Sequence, residues 1–200
     1  MSKKKVGALS AVVALLAVAI IGGTMAYFTD TASKDNVFTI GNIDIVLEEP
    51  AWDAAEHEDV YPGEALPKDP IITNVGENPC FVRAAIADVN GSGATFETNY
   101  VTGAVGEGWV NGGDGYYYYM TPLAGPYQVA NEGMSPVTTK LFDQIRIPTA
   151  VTNGDSETQY NLQISVQAVQ AQGAKPSWND TKNISLDDLK AWFATCGFAA

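Results

Sequence analysis

The sequence predicts an all-β protein, a β-sandwich of the jelly-roll or immunoglobulin-like kind with about seven or more strands. Apolar and polar residues alternate over many short stretches, which is the period of a half-buried strand. The 19 glycines and 10 prolines are scattered among these stretches and supply the turns that join short strands. Because 46% of the 200 residues are hydrophobic, the chain can also bury a substantial core.

The N-terminus has the features of a cleavable signal peptide. Three lysines at 3–5 precede an apolar run at 6–21, which is shorter than the roughly 20 residues of a membrane-spanning helix. Thr24 and Ala26 are small residues at the two positions that a signal peptidase reads. We therefore expect cleavage between Ala26 and Tyr27.

These features divide the chain into a signal peptide over 1–26 and a single β-sandwich domain over 27–200. The net charge is −12, and without the three leader lysines eight basic residues face 23 acidic ones, a net charge of −15. So acidic a surface repels phosphate backbones and anionic lipids, which excludes nucleic acid as a partner. The sequence predicts a protein that is secreted to the extracellular matrix or the cell surface and meets the membrane only during export.

The domain begins with two strand-forming segments. Phe38 and Ile40 share one face of the first, and Ile43, Ile45 and Leu47 share one face of the second. A glycine–asparagine pair between the two segments predicts a bulge or a tight bend.

Five more strands are predicted by the alternation of apolar and polar residues. They cover residues 70–75, 80–89, 114–120, 141–147 and 159–170. In the second of these, Cys80 and Val82 point to one face while Phe81 and Arg83 point to the other. The last shows the clearest alternation, typical of an antiparallel strand with one wet face.

The tyrosine-rich strand at 114–120 has two aromatic faces. Tyr116 and Tyr118 lie on one face, and Tyr117 and Tyr119 lie on the other. The pattern favours two rings in the core and two on the outer face of the sheet.

Three remaining stretches do not follow the period of a strand. The glycine-rich segment 90–115 is interpreted as a long surface insertion, and 122–136 as a loop. Ser185 and Asp188 resemble a capping box in which Asp replaces the usual Glu. Apolar residues follow at helical spacing and predict a short amphipathic helix over 185–195 that covers an open end of the core.

The search for chemistry points to a protein without a catalytic centre. The single histidine, His57, lies between Glu56 and Glu58 in an acidic loop at 48–59, and the zinc-protease motif HExxH is absent. These carboxylates are weak candidates for a cation site, and calcium is the cofactor they would suit, but the simpler interpretation is a solvated acidic loop. We predict no catalytic residues and no resident cofactor.

The two cysteines, Cys80 and Cys196, can form a disulfide after export. Two cysteines permit a bridge without requiring one, and Cys80 can equally be a buried strand residue. The sequence leaves the two alternatives open.

Residues 22–49, GGTMAYFTDTASKDNVFTIGNIDIVLEE, resemble the N-terminal signature of the TasA/camelysin family of exported bacterial proteins. Shorter similarities continue along the chain. They include Pro62-Gly63, Asn74-Val75-Gly76, Val82-Arg83, Leu141-Phe142, Ala168-Val169-Gln170-Ala171 and Trp178. The glycine-rich segment and the predicted helix lie outside the resemblance.

The resemblance implies a secreted structural subunit of biofilm-matrix or cell-surface fibres, whose partners are a dedicated signal peptidase and further copies of itself. In such fibres the N-terminal segment of one subunit is donated as a strand to the next. Here that role would fall to the segment 27–47, with its assembly residues Tyr27, Phe28, Thr29, Asp30 and Phe38. Strand addition of this kind satisfies an exposed sheet edge.

Two other functions stay open at this point. The camelysin branch of the family carries a metallopeptidase label, although the sequence offers no zinc-ligand set to support it. A monomeric surface adhesin would use exposed aromatic residues, namely Trp52, Trp109 or the tyrosine strand.

Overall fold

The computed structural model describes residues 42–52, 60–88, 91, 93–150 and 162–198. In chain order the strands are β1 (Ile45–Glu48), β2 (Ala65–Pro67), β3 (Ile71–Asn74), β4 (Cys80–Asp88), β5 (Thr95–Thr98), β6 (Val101–Thr102), β7 (Trp109–Asn111), β8 (Tyr117–Tyr119), β9 (Gln144–Arg146) and β10 (Leu162–Gln170). The helices are α1 (Pro126–Glu132), α2 (Trp178–Lys182) and α3 (Leu186–Thr195). None of the helices in the described part of the chain is long and apolar enough to cross a membrane.

The strands pair antiparallel in two sheets, which confirms the predicted all-β sandwich. One sheet has the order β10-β4-β8-β7 and the other β2-β9-β5-β6, while β1 pairs with β3. On its other side β3 bonds to the chain that leads into β9, through Asn74 N to Pro136 O at 2.8 Å and Thr138 N to Ile72 O at 2.9 Å. The β1–β3 pair therefore extends the second sheet.

The main core lies between the two sheets. It consists of Leu66, Ile72, Cys80, Val82, Ala84, Trp109, Tyr119, Leu123, Leu141, Phe142, Ile145 and Ile147. The predicted alternation of β4 is thus confirmed, because Cys80 and Val82 lie together in this core and Phe81 does not. The alternation predicts these faces because successive side chains of a strand point to opposite sides of the sheet.

A second core lies on the outer face of the β10-β4-β8-β7 sheet. Its buried members are Phe81, Tyr118, Val169, Ala171, Ile184, Leu189 and Phe193. The helix α3 is predicted correctly in place and cap, since Ser185 Oγ accepts from Asp188 N at 3.2 Å. Its role differs from the prediction, because α2 and α3 cover a sheet face rather than an open end. The outer face of β10 is therefore exposed to solvent only in its first half, at Gln163 and Ser165.

Arg83 is the polar centre of this second core, and its side chain is fully buried. Its Nε donates to Gln167 Oε1 at 2.8 Å and its Nη1 to Tyr118 Oη at 2.9 Å. The guanidinium carbon lies 3.8 Å from the ring centre of Tyr116 and 4.9 Å from that of Phe193. Hydrogen bonds and aromatic faces together compensate for removing the cation from water.

Two segments that the sequence presents as irregular contain regular structure. The glycine-rich segment 90–115 was predicted to be a surface insertion, but it supplies β5, β6 and β7 and buries Trp109 in the main core. The segment 122–136 was predicted to be a loop, but it contains α1. Both predictions are wrong for the same reason: the strands are two to four residues long and α1 has seven residues, so each is too short for its period to repeat recognisably in the sequence.

Glu97 ties β5 to its neighbours through a buried carboxylate. Arg146 donates from Nε to Oε1 at 2.6 Å and from Nη2 to Oε2 at 2.9 Å, and Gln144 and Thr102 donate as well. These donors, Arg146 above all, lower the pKa of Glu97 from 4.5 to about 2. The carboxylate is therefore held in its ionised form.

We expect this lowered pKa to make the domain sensitive to acid. The folded-state pKa lies below the unfolded value, so the stabilisation is present above pH 4.5 and is lost as the pH falls towards 2. The Glu97→Gln variant should lose about 1–3 kcal/mol of unfolding free energy at pH 7 and show a flatter pH dependence in that window. Urea unfolding at several pH values measures the loss of unfolding free energy and its pH dependence. If Glu97→Gln left the pH dependence of the unfolding free energy unchanged, the stabilising role of the ionised Glu97 would be contradicted. An equal effect of Glu77→Gln, at an exposed position, would contradict it as well.

Candidate functional site

The candidate site is one open side of the sandwich. Both β1 and β10 are the outermost strands of their sheets, so among the described residues each has one edge without a strand partner. Residues of both strands line a single open groove of about 380 Å³. It is lined by Leu47, Glu49, Lys68, Leu162 and Ile164. The two free edges therefore lie on the same side of the sandwich.

The side chains that face inwards on this side are incompletely buried. Leu47 lies two residues after Ile45 in β1, so both side chains point to the same face of the sheet. Ile45 packs on the main core, yet Leu47 is 38% exposed. Leu162 and Ile164 are only half-buried, whereas Val82 and Ala84 on the neighbouring strand are fully buried. At the opposite side of the same sheet, Trp109 on the outermost strand β7 is buried. Within the described part of the chain, apolar surface is thus left partly uncovered between β1 and β10.

The rim of the groove is fixed by a buried lysine. Lys68 is only 8% exposed, and its Nζ donates to Glu49 Oε2 at 2.6 Å. The same ammonium lies 4.4 Å from the ring centre of Trp52. Asp69 accepts from Ala51 N at 2.6 Å and so binds the backbone that leaves β1. These contacts hold the end of β1 in place beside the groove.

The start of β1 is held by the turn Asn74-Val75-Gly76. The Asn74 amide donates to Asn78 O at 2.9 Å and to Ala124 O at 3.0 Å, and its Oδ1 accepts from Gly76 N at 3.0 Å. A Cβ on Gly76 would lie 2.5 Å from Asp44 N, a backbone atom that cannot move aside on its own. Only glycine allows β1 to approach this turn so closely.

Gly76→Ala should therefore loosen the start of β1. We expect a loss of about 1–3 kcal/mol in unfolding free energy, the range of an overpacked site. The neighbouring Val75→Ala, at a position 55% exposed, is the matched control and should change stability little. Urea unfolding of both variants tests the expectation, and equal stabilities would refute it.

Most of the predicted site residues lie outside the described residues. This holds for the cleavage positions Thr24, Ala26 and Tyr27, for the assembly residues Tyr27, Phe28, Thr29, Asp30 and Phe38, and for Glu56, His57 and Glu58. Within the described ranges, no three His, Cys, Asp or Glu side chains come together as a metal site would require. Assembly, cleavage and cation binding at these residues stay predictions.

The two cysteines are free thiols in this structure. Cys80 is buried in the main core, and Cys196 is exposed at the end of α3. Burial raises the pKa of the Cys80 thiol to about 12, which keeps it protonated and unreactive at neutral pH.

The aromatic residues considered for an adhesin do not form an exposed surface. Trp109 is buried, which contradicts its candidacy, and Trp52 is half-buried beneath Lys68. The tyrosine strand packs on both faces, with Tyr117 and Tyr119 towards the main core and Tyr116 and Tyr118 towards the second.

The groove itself was not predicted. The sequence marks Leu47, Leu162 and Ile164 as inward-facing, which is correct, but alternation does not reveal whether an inward face meets a partner strand. Neither residue type nor spacing at these positions signals the groove.

Comparison with models of known protein families shows a similarity over the N-terminal part of the chain. The model of the camelysin metallo-endopeptidase family matches residues 1–79, a span that includes β1, β2, β3 and the turn at Asn74-Val75-Gly76. This confirms the resemblance to the TasA/camelysin family over that span. A search of curated proteins finds no match.

Proposed function

We propose, from the similarity of residues 1–79 to the camelysin family, that this chain is a secreted structural subunit of an extracellular biofilm-matrix or cell-surface fibre. The family match supports a secreted cell-surface protein. The observation that favours a fibre subunit is the open side between β1 and β10, where inward-facing apolar residues are left half-exposed. The subunit is proposed to have no catalytic role.

Assembly would proceed by strand donation from the part of the N-terminal segment that precedes β1, because Ile45–Glu48 pair with β3 of the same chain. A strand from another copy would bond to the free edge of β1 or β10 through its backbone. Its alternate side chains would then cover Leu47, Leu162 and Ile164 in the groove. Phe28 is an apolar residue of the donated segment that suits this position. Because each copy both gives and accepts a strand, the contact is head-to-tail and produces an open filament.

The groove can be tested with a pair of matched variants. Leu47 on β1 and Val110 on β7 are 38% and 39% exposed, and they lie on outermost strands at opposite sides of the sandwich. Burying a leucine contributes about 1.5–3 kcal/mol, so Leu47→Lys should raise the critical concentration for assembly by about 10–100-fold. Val110→Lys carries the same charge change and should assemble normally.

Negative-stain electron microscopy and sedimentation of the purified proteins measure this difference. Circular dichroism establishes that both variants fold. Normal fibres from folded Leu47→Lys, or equal defects in both variants, would reject the groove as the acceptor.

A metallopeptidase of the camelysin type is the second candidate, on the strength of the family's name. Casein hydrolysis with and without a chelator decides it. Chelator-sensitive hydrolysis by the purified chain, abolished in His57→Ala, would establish the enzyme and overturn the proposal of a non-catalytic subunit.

A further inference from the structure

The strand β10 has the longest free edge in the part of the chain that the structure describes. It has nine residues and is the outermost strand of its sheet. Every other outermost strand among the described residues is two to four residues long. The sequence of β10, LQISVQAVQ, contains no charged residue and no proline, although the chain has a net charge of −12. Charges and prolines are the features that keep an exposed edge from pairing, so this edge is open to a further strand.

The direction of the backbone groups of β10 follows from its register on β4. Gln170 lies opposite Cys80, and Cys80 exchanges both of its backbone hydrogen bonds with Leu123, on the far side of β4. The next residue of the chain, Ala171, instead donates to Pro79 O at 2.9 Å. Because the bonding direction alternates along an antiparallel strand, every second residue counted back from Gln170 turns its N–H and C=O groups away from β4. These residues are Gln170, Ala168, Val166, Ile164 and Leu162.

This outward edge is closed at one end by α3. Trp192 Nε1 donates to Gln170 O at 2.7 Å, so an indole ring occupies the last outward carbonyl. At positions 162, 164, 166 and 168 the outward groups have no hydrogen-bond partner among the described residues. The side chains of the same four residues pack half-buried against the main core. A strand along this edge would therefore gain backbone hydrogen bonds and cover apolar side chains together.

The free edge of β1 is shorter. Ile45 lies opposite Asn74, whose N–H bonds to Pro136 O on the other side of β3. By the same alternation, Ile45 and Leu47 are the residues of β1 that turn their backbone groups outwards. The edge of β1 thus offers two residues to an added strand, whereas β10 offers four.

We propose that the strand donated by a second copy pairs with the free edge of β10 over residues 162–168, rather than with β1, and that Trp192 ends the pairing before Gln170. This assignment rests on the proposed function, because it names the edge at which strand donation takes place. A second copy carries the same excess of negative charge, and the uncharged β10 lets it approach without repulsion at the contact itself. Alternate side chains of the added strand would lie beside Leu162 and Ile164 and fill the groove.

Amide hydrogen exchange tests the assignment without any substitution. The full chain is exported from a bacterial host, and exchange is measured in its monomers and in its fibres by mass spectrometry at single-residue resolution. The N–H groups of Ile164, Val166 and Ala168 should exchange freely in the monomer and about 100-fold or more slowly in the fibre. The N–H groups of Ile45 and Leu47 should exchange alike in both states.

Three outcomes would overturn the assignment. Fibres in which the β10 amides stay unprotected, or in which Ile45 and Leu47 are protected instead, would reject β10 as the acceptor and leave the fibre function intact. Slow exchange of the β10 amides already in the monomer would show that the same chain covers the edge. If the purified chain forms no fibres, the proposed function itself fails, and the assignment fails with it.

A proline at the edge provides a second test. Val166→Pro removes an N–H that points outwards and keeps the hydrogen bonds to β4, which the neighbouring residues make. It should raise the critical concentration for assembly by about tenfold or more, since one hydrogen bond is lost and the proline ring stands in the way of the added strand. Val166→Ala keeps the N–H and is the matched control that should assemble normally. Ile45→Pro makes the corresponding change on β1 and should assemble as well.

Sedimentation measures the critical concentration, and circular dichroism establishes which variants fold. Normal assembly of folded Val166→Pro, or an equal defect in Val166→Ala, would contradict a backbone contact at β10. A defect confined to Ile45→Pro would place the added strand on β1. If Val166→Pro does not fold, the exchange measurement still decides, because it uses the unaltered chain.

Discussion

A chain that starts at Val37, and so lacks residues 27–36, is expected to form no fibres while keeping its folded sandwich. The described core, both sheets and the three described helices consist of residues after position 41, so the deletion removes no residue of these elements. It does remove the strand that would cover Leu47, Leu162 and Ile164 in the next subunit. The loss should therefore be specific to assembly.

Electron microscopy measures fibres, and urea unfolding with far-ultraviolet circular dichroism measures folding. The chain that starts at Tyr27 is the control, and its midpoint of unfolding as a monomer should agree with that of the shortened chain. A synthetic peptide of residues 27–36 provides a second arm. Added in excess to the intact protein, it should occupy the free edges and shorten the fibres, because each capped subunit can no longer accept a strand. Persistent fibres from the shortened chain would refute strand donation.

Phe193→Ala is expected to be the most destabilising single change outside the main core. The ring is fully buried in α3, lies 5.6 Å edge-on from Tyr118, and covers the guanidinium of Arg83 at 4.9 Å. Truncating a buried phenylalanine costs about 3–5 kcal/mol, the transfer term plus the cavity term. Here the cavity would also uncover one face of a buried cation, which favours the upper part of that range.

Urea unfolding of Phe193→Ala and of Thr195→Ala makes the comparison. Thr195 lies on the exposed side of the same helix, so its truncation should change the unfolding free energy by less than about 0.5 kcal/mol. A loss below about 1 kcal/mol for Phe193→Ala would mean that α3 contributes little to the stability of the sheet it covers.

The periodic elements could be predicted from the sequence because their side chains repeat over enough residues. The nine-residue strands β4 and β10 alternate along their whole length, and the cap of α3 is a local interaction between Ser185 and Asp188. Arg83 was placed on the correct face, opposite Val82, although its aromatic surroundings come from β8 and α3 and were not predicted. Short elements were missed because two or three residues are too few to repeat the period of a strand. The strands β6 and β7 were therefore assigned to an irregular insertion.

The sequence by itself determined the strand faces, the acidic surface and the fold class, since these depend on residue type and on spacing within one segment. The similarity to the camelysin family over residues 1–79 was equally accessible from local residues. Only the tertiary structure decided that α2 and α3 cover a sheet face, and that β1 and β10 bring their free edges to the same side. The physical reason is that burial depends on what lies across from a side chain. Leu47 and Val82 have the same inward orientation, and only their neighbours in space leave one half-exposed at an open groove and make the other part of the core.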